Sequence, residues 1–155
     1  MSPALDDTDR RLVGQLRRRP RAGISDLARR LALARGTVQS RLERLIERGI
    51  ITGFGPDMDA AAAGYDVRAF TTLSIAQGRH DRTIEHLSRI PEVLEVHTVT
   101  GSGDLLLKIV ATTNEDLHRI LQEIAALDEV SHTETQLALA TPLLRSVADL
   151  VGAPD

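Results

Sequence analysis

The sequence predicts an α+β chain in two parts: three helices over residues 1–50, then, after a linker over residues 51–64, a βαββαβ unit over residues 65–155. Three observations carry this. Charge divides the chain, because residues 1–50 hold twelve arginines against six acids, while residues 51–155 hold seven bases against sixteen acids. Apolar residues recur at helical spacing in the first part. In the second, β-branched runs alternate with amphipathic segments and Gly or Pro punctuation.

Asp6 is placed to cap a first helix, and Asp7 and Asp9 suit the positive end of its dipole. Leu12, Val13 and Leu16 form its apolar stripe, and Pro20 stops it. A short second helix starts after Ser25 as N-cap, buries Leu27, Ala28 and Leu31, and ends at Ala32-Leu33-Ala34. The third runs from Arg35 to Arg48, with Val38, Leu42, Leu45 and Ile46 on one face and Gly49 as terminator. Its outer arc holds Thr37, Ser40, Arg41, Arg44 and Arg48. A short helix, a tight turn and a longer helix with a basic outer face is the helix-turn-helix pattern. Such a helix enters the major groove, where Arg pairs with guanine and Gln with adenine. The expected DNA contacts are Arg35, Gln39, Ser40, Arg41 and Arg44, with Gly36 and Thr37 at the approach.

Ile51–Gly64 carries Gly53, Gly55 and Pro56 with no periodic pattern and reads as the linker. Beyond it, Val67–Ile75 reads as a strand and His80–Ile90 as a helix stopped by Pro91. Val93–Thr100 and Leu105–Ala111 form a hairpin around the turn Gly101-Ser102-Gly103-Asp104. Asn114 caps a helix carrying Leu117, Ile120, Leu121 and Ile124, and Val130–Ala140 is the last strand. Strand–helix–strand–strand–helix–strand is the ferredoxin-like split βαβ order. One helix layer covers one sheet face. The other, expected to carry Leu106, Ile109 and Leu137, calls for a second copy of the chain.

Composition removes several function classes. Cysteine is absent, which excludes disulfides, thiol catalysis and thiolate zinc sites. Aromatics make up 2% of the chain, too few for a platform that stacks single-stranded bases. The histidines (His80, His86, His97, His118, His132) are scattered and form no metal-binding pair on a helix; His97, inside a strand, is the one pH-sensitive candidate. There is no P-loop, nucleophile elbow or dinucleotide fingerprint. No catalytic residue, metal or cofactor is expected. The N-terminus lacks an export signal and no run suits a membrane span, so a cytoplasmic protein without membrane contact is expected.

The stretches LDDTDRRLVGQL, ISDLARRLALARGTVQSRLERLIERGIITGF and PEVLEVHTVTGSGDLLLKIVA follow one another across most of the chain. In that order they resemble the leucine-responsive regulatory protein/AsnC (feast–famine) family of prokaryotic transcription regulators. The resemblance implies an N-terminal DNA-binding domain and a C-terminal ligand-sensing domain. It also implies homodimers that assemble to octamers, and a free amino acid or similar metabolite as effector between sensing domains. Where the family often has Ser before the third helix this chain has Ala34, so that helix loses a side-chain cap.

A zwitterionic effector needs amide donors for its carboxylate and an acceptor for its ammonium. The turn of Gly101, Ser102 and Gly103 offers backbone N–H groups, and Asp104 offers a carboxylate. The resemblance places the far wall on the last strand, at Gln136, Leu137 and Ala138, with Asn114 nearby. Two other functions stay open on the sequence alone: a DNA-architectural protein without an effector, and a tetrapyrrole decarboxylase-like enzyme on the same fold.

Overall fold

Asp6 caps the first helix as expected: its carboxylate accepts the Asp9 N–H at 2.8 Å at the start of helix α1, Asp7–Arg18. In this computed structural model residues 5–152 are described; the first four residues, read above for an export signal, and the last three lie outside them. Helix α2, Ile24–Leu31, starts two residues earlier than expected, with Gly23 rather than Ser25 at the N-cap and no side-chain cap. Ser25 falls inside the first turn, where the Asp26 and Leu27 N–H groups already donate to the Gly23 carbonyl. Helix α3 spans Arg35–Glu47 and ends at Gly49, whose φ of 67° only glycine adopts freely.

Leu12, Leu27, Leu31, Val38 and Leu45 form the core of this unit, each 2% exposed or less. Ile46, expected on the same face, is 43% exposed, since it lies past the edge of the contact with α1 and α2. Asp9 is an unanticipated member, a carboxylate with 2% exposure.

The second unit is a four-stranded antiparallel sheet in the order β2-β3-β1-β4, with β1 Val67–Ile75, β2 Val93–Thr98, β3 Leu105–Ala111 and β4 Val130–Leu137. Helices α4, His80–Leu87, and α5, Asn114–Ala125, interrupt it in the ferredoxin-like order. The cap of α5 is Thr113, whose hydroxyl accepts the Asp116 N–H, so Asn114 is the first helical residue and not the cap. Helix α4 stops at Leu87 and not Ile90, β2 at Thr98 and β4 at Leu137, each short of its expected end.

Register sorts the faces, because directly opposed residues project to the same side. Ala69, Thr71 and Leu73 of β1 oppose Ile109, Leu107 and Leu105 of β3, and all six are fully buried beneath Leu87, Leu117, Ile120 and Ile124 of the helices. Buried Thr71 finds its hydroxyl partner in Thr135 at 3.0 Å. The expectation for the opposite face is therefore corrected. Ile109 lies in the core, and Leu137 opposes Ala69, on the helix side, where it is 50% exposed beyond the helices' reach. Leu106 does face away, among Phe70, Thr72 and the pair Lys108–Glu95. That face is mixed rather than apolar.

The chain divides into Met1–Pro56 with Pro142–Asp155, and Asp57–Thr141. The expected boundary is corrected at its far end: the tail returns to the helical unit. There a sixth helix, α6 (Val147–Val151), packs Ala148 and Val151 on the core next to α1.

Candidate DNA-binding surface and effector site

The turn between α2 and α3 is tight because Ala32 takes the left-handed conformation, φ 55°, and its N–H and that of Leu33 close onto Ala28 and Arg29. This orients α3. Ala34 sits at its N-cap without a side-chain bond, as the sequence predicts, so the first-turn N–H groups of α3 have no side-chain acceptor. Gly36 has open space around it, and a ligand approaches the backbone there unhindered. Arg35, Thr37, Gln39 and Ser40 are exposed beside it. Gln39 donates to Glu43 at 2.6 Å, a surface bond that a base edge can replace.

Arg41 and Arg44 are placed differently. Arg41 Nη1 donates to Asp6 at 2.6 Å and to Asp9 at 2.8 Å, and Arg44 Nη2 reaches both Asp9 oxygens at 3.2 and 3.3 Å. The Arg41 hydrogen bond holds Asp6 below the usual carboxylate range, and Asp6 and then Asp9 hold the guanidinium above its ordinary value. Both arginines thus fasten α3 to α1. The Arg41 side chain keeps 24% exposure, and Arg44, at 48%, still reaches solvent.

Much of the arginine surplus is tied up in the same way. Arg29 and Arg30 share Asp26, Arg11 donates to the Leu31 carbonyl, and Arg17 pairs with Asp149. Among the described residues Arg10, Arg18, Arg19, Arg21 and Arg35 are exposed with no acid partner. Arg35 is the one of these on α3.

At the hairpin of the sheet, Gly101 has φ 121°, and a methyl on Gly103 would lie 2.2 Å from the Thr72 side chain and 3.1 Å from the Leu73 carbonyl oxygen. Both glycines are required by the turn itself. Asp104 is engaged rather than free: its Oδ2 accepts the Ile75 N–H at 2.8 Å, and its own N–H donates to Leu73 at 2.8 Å. The carboxylate extends β1 by one bond past its pairing with β3. Its other oxygen has no partner among the described residues.

The expected effector residues do not converge in one chain. The hairpin sits where Leu73 meets Leu105, whereas Gln136 and Leu137 oppose Phe70 and Ala69, and Ala138 donates to Arg68. Four residues along β1 separate the two groups, about 13 Å, and two strand spacings add about 10 Å across the sheet. Asn114 follows β3 at the Ala111 end, opposite the hairpin. So Asn114, Gln136, Leu137 and Ala138 share one end, and Gly101, Ser102, Gly103 and Asp104 hold the other. His97 lies on the sheet surface 3.0 Å from Glu95, whose carboxyl Lys108, and then His97, holds below its usual range. Among the described residues no cluster is arranged to hold a metal, and no helix is long and apolar enough to cross a membrane.

Residues 5–52 match the family model described as winged helix-turn-helix DNA-binding, and residues 68–147 the one described as Lrp/AsnC ligand binding domain. The HTH-type transcriptional regulator AldR of Mycolicibacterium smegmatis is 34% identical over 137 residues, 86% of this chain and 80% of that protein. Among solved structures, AsnC of Escherichia coli superposes with a TM-score of 0.88 at 26% identity, covering 94% of this chain and 99% of that one. A transcriptional regulator of Neisseria meningitidis in complex with L-Met has the same fold, TM-score 0.81, at 24% identity over 91% of this chain and 94% of that one.

Proposed function

The chain belongs to the Lrp/AsnC family of helix-turn-helix transcriptional regulators, and from that premise we propose that it binds operator DNA as a homodimer through the amino-terminal half of α3, under control of an amino-acid effector. The carrying observation is the division of labour along α3. Arg35, Gly36, Thr37, Gln39 and Ser40 are exposed around an uncapped helix start, while Arg41 and Arg44 are bound to Asp6 and Asp9. Residues at the start of a recognition helix are the ones that reach base edges. In this reading Arg35 and the free N–H groups beside Gly36 take phosphates. Gln39, Ser40 and Thr37 read bases, and Arg41 and Arg44 hold the helix at its angle, Arg44 reaching a phosphate as well.

Two recognition helices imply a degenerate palindromic operator with half-sites in successive major grooves. The effector lies between sensing units of different copies. The hairpin of one copy, with Gly101, Ser102, Gly103 and Asp104, faces Gln136, Leu137 and Ala138 of another, with Asn114 beside them. This accounts for the separation of the two groups within one chain, and it requires assembly beyond a monomer, to dimers and octamers. Such a regulator works in the cytoplasm, where its operators are, and by binding rather than by catalysis.

The test is selection of duplexes from a random pool, followed by titration of the selected site. Arg35→Ala lowers the salt slope by about one at unchanged base preference, and Gln39→Ala relaxes preference at one position at a cost of about 1–3 kcal/mol. Unchanged affinity and preference in the double variant would refute the assignment to the start of α3.

A further inference from the structure

The tail that closes the chain is held at both ends by specific contacts. At its start, the Ala138 N–H donates to the Arg68 carbonyl at 2.9 Å, and Arg68 Nη1 donates to the Thr141 hydroxyl, so the tail stays fastened to the first residues of β1. At its far end α6 is clasped to α1. Arg17 grips Asp149 through two bonds, 2.7 and 3.3 Å, and Asp149 also accepts the Ser146 N–H at 2.7 Å. Gly14 and Gly152 meet backbone to backbone: a methyl on Gly14 would sit 2.8 Å from the Gly152 carbonyl oxygen, and one on Gly152 would sit 2.5 Å from the Gly14 Cα. Only glycine at both positions permits that approach.

Four residues, 142–145, separate these fastenings, and the first is Pro142, whose fixed φ removes slack. The other connection, from Ile51 in the helical core to Val67, is fifteen residues long, of which 59–65 form a hydrogen-bonded turn and the seven before it, 52–58, include Gly53 and Gly55. A tether of n flexible residues spans roughly 5–6 Å times the square root of n, so seven residues with two glycines tolerate displacement that four beginning with proline transmit. Inside the helical unit the contacts continue. α6 holds α1 at Gly14 and Arg17, and α1 holds α3 through Asp9, Arg41 and Arg44.

We propose that the C-terminal segment is a strap through which the end of β4 sets the angle of the recognition helix, by way of α6 and α1. This rests on the reading of α3 as the DNA-binding helix. It gives the Gln136–Ala138 end of the sheet a direct mechanical connection to DNA binding. Coupling is reciprocal, so DNA itself is a sufficient probe and no effector need be known.

The experiment measures amide hydrogen exchange of the full chain with and without its selected duplex. In the unaltered protein, DNA slows exchange at Ala138 and along the strap. A flexible insert of about six Gly and Ser residues between Leu143 and Leu144 leaves α6 protected and DNA still bound, but abolishes the DNA-induced change at Ala138. Gly152→Val exposes the α6 amides and weakens DNA binding about fivefold, the low end of allosteric couplings. Three results would overturn the strap: α6 amides unprotected in the unaltered protein, the same DNA-induced change at Ala138 with the insert, or full DNA affinity in Gly152→Val once α6 is shown to be released. Absence of a selected duplex would instead overturn the DNA-binding reading.

Discussion

Replacing Asp9 with Asn tests how α3 is held. The substitution keeps the shape of the side chain and removes the charge that Arg41 and Arg44 share. Arg41 loses a 2.8 Å bond but retains Asp6 at 2.6 Å, and Arg44 loses two contacts of 3.2 and 3.3 Å. Breaking a fully buried pair costs about 3–5 kcal/mol, because a charge is left without a partner. Here the acid is 3% exposed at its side chain, but Arg44 is 48% exposed and recovers water. The Arg44 share is screened accordingly, and the expected net loss is about 2 kcal/mol, close to one charge-assisted hydrogen bond. In a unit of this size that lowers the thermal midpoint by about 10 °C. The assay is helix-weighted circular dichroism on heating, with amide exchange in α3 to localise the loss. Release of Arg44 also adds a mobile cation beside the duplex, so the salt dependence of non-specific DNA binding steepens by about one. A midpoint within about 2 °C of the unaltered protein, with α3 protection unchanged, would refute the reasoning.

Three further outcomes follow from the same geometry. Gly103→Ala, with the Leu73 carbonyl oxygen 3.1 Å from the added methyl and the Thr72 side chain closer still, costs about 1–3 kcal/mol by overpacking and is checked by urea denaturation. Asp104→Ala removes the acceptor of the Ile75 N–H, and loses about 1 kcal/mol at an exposed edge, read as faster exchange of the Ile75 amide. Asp149 is depressed below its usual carboxylate range, first by the Arg17 hydrogen bond and then by Ser146. Its contribution is therefore complete above the unfolded value near 3.9 and is lost as pH falls through the folded one, so α6 amides lose protection below about pH 4. Asp149→Asn should show no such step, although Asp6 and Asp26, lowered by their own arginines, add to acid sensitivity elsewhere.

The strands most legible in the sequence were those with strong punctuation. Val67–Ile75 and Leu105–Ala111 are bounded by Gly, Asp or Ala turns, and both match their expected ends. The cap at Asp6 was legible because it is the first of the run Asp6-Asp7-Thr8-Asp9, whose later acids fill the first turn. The cap of α5 slipped where two candidates stood together: Thr113 and Asn114 both suit an N-cap, and backbone geometry decides between them. Helix α6 escaped because five residues are too few to show a period. Its signal was Ser146-x-x-Asp149, the capping box, which is realised by the bonds to Asp149. The contact of Gly14 with Gly152 had no sequence signal, since helix-interior glycine announces a close approach but never its partner.

The candidate site was legible as residue types and illegible as availability. Twelve arginines in fifty residues point correctly to a polyanion partner, yet a count of charge says nothing about which guanidiniums are already satisfied. Arg41 and Arg44 lie on the arc of α3 that borders α1, and the acids that bind them, Asp6 and Asp9, also serve the dipole of α1. The same acids therefore read as helix-start signals, which hides their second partner. For the effector residues the obstacle is register. The hairpin and the end of the last strand lie at opposite ends of one sheet, because Leu73 pairs with Leu105 beside the hairpin while Ala69 pairs with Leu137. Under the proposed shared site, sensing and assembly are one property: a ligand held by two copies stabilises their contact by its own binding energy. A site completed inside one copy would leave assembly unchanged by the ligand, and that difference is measurable by light scattering with and without an amino acid that raises the thermal midpoint.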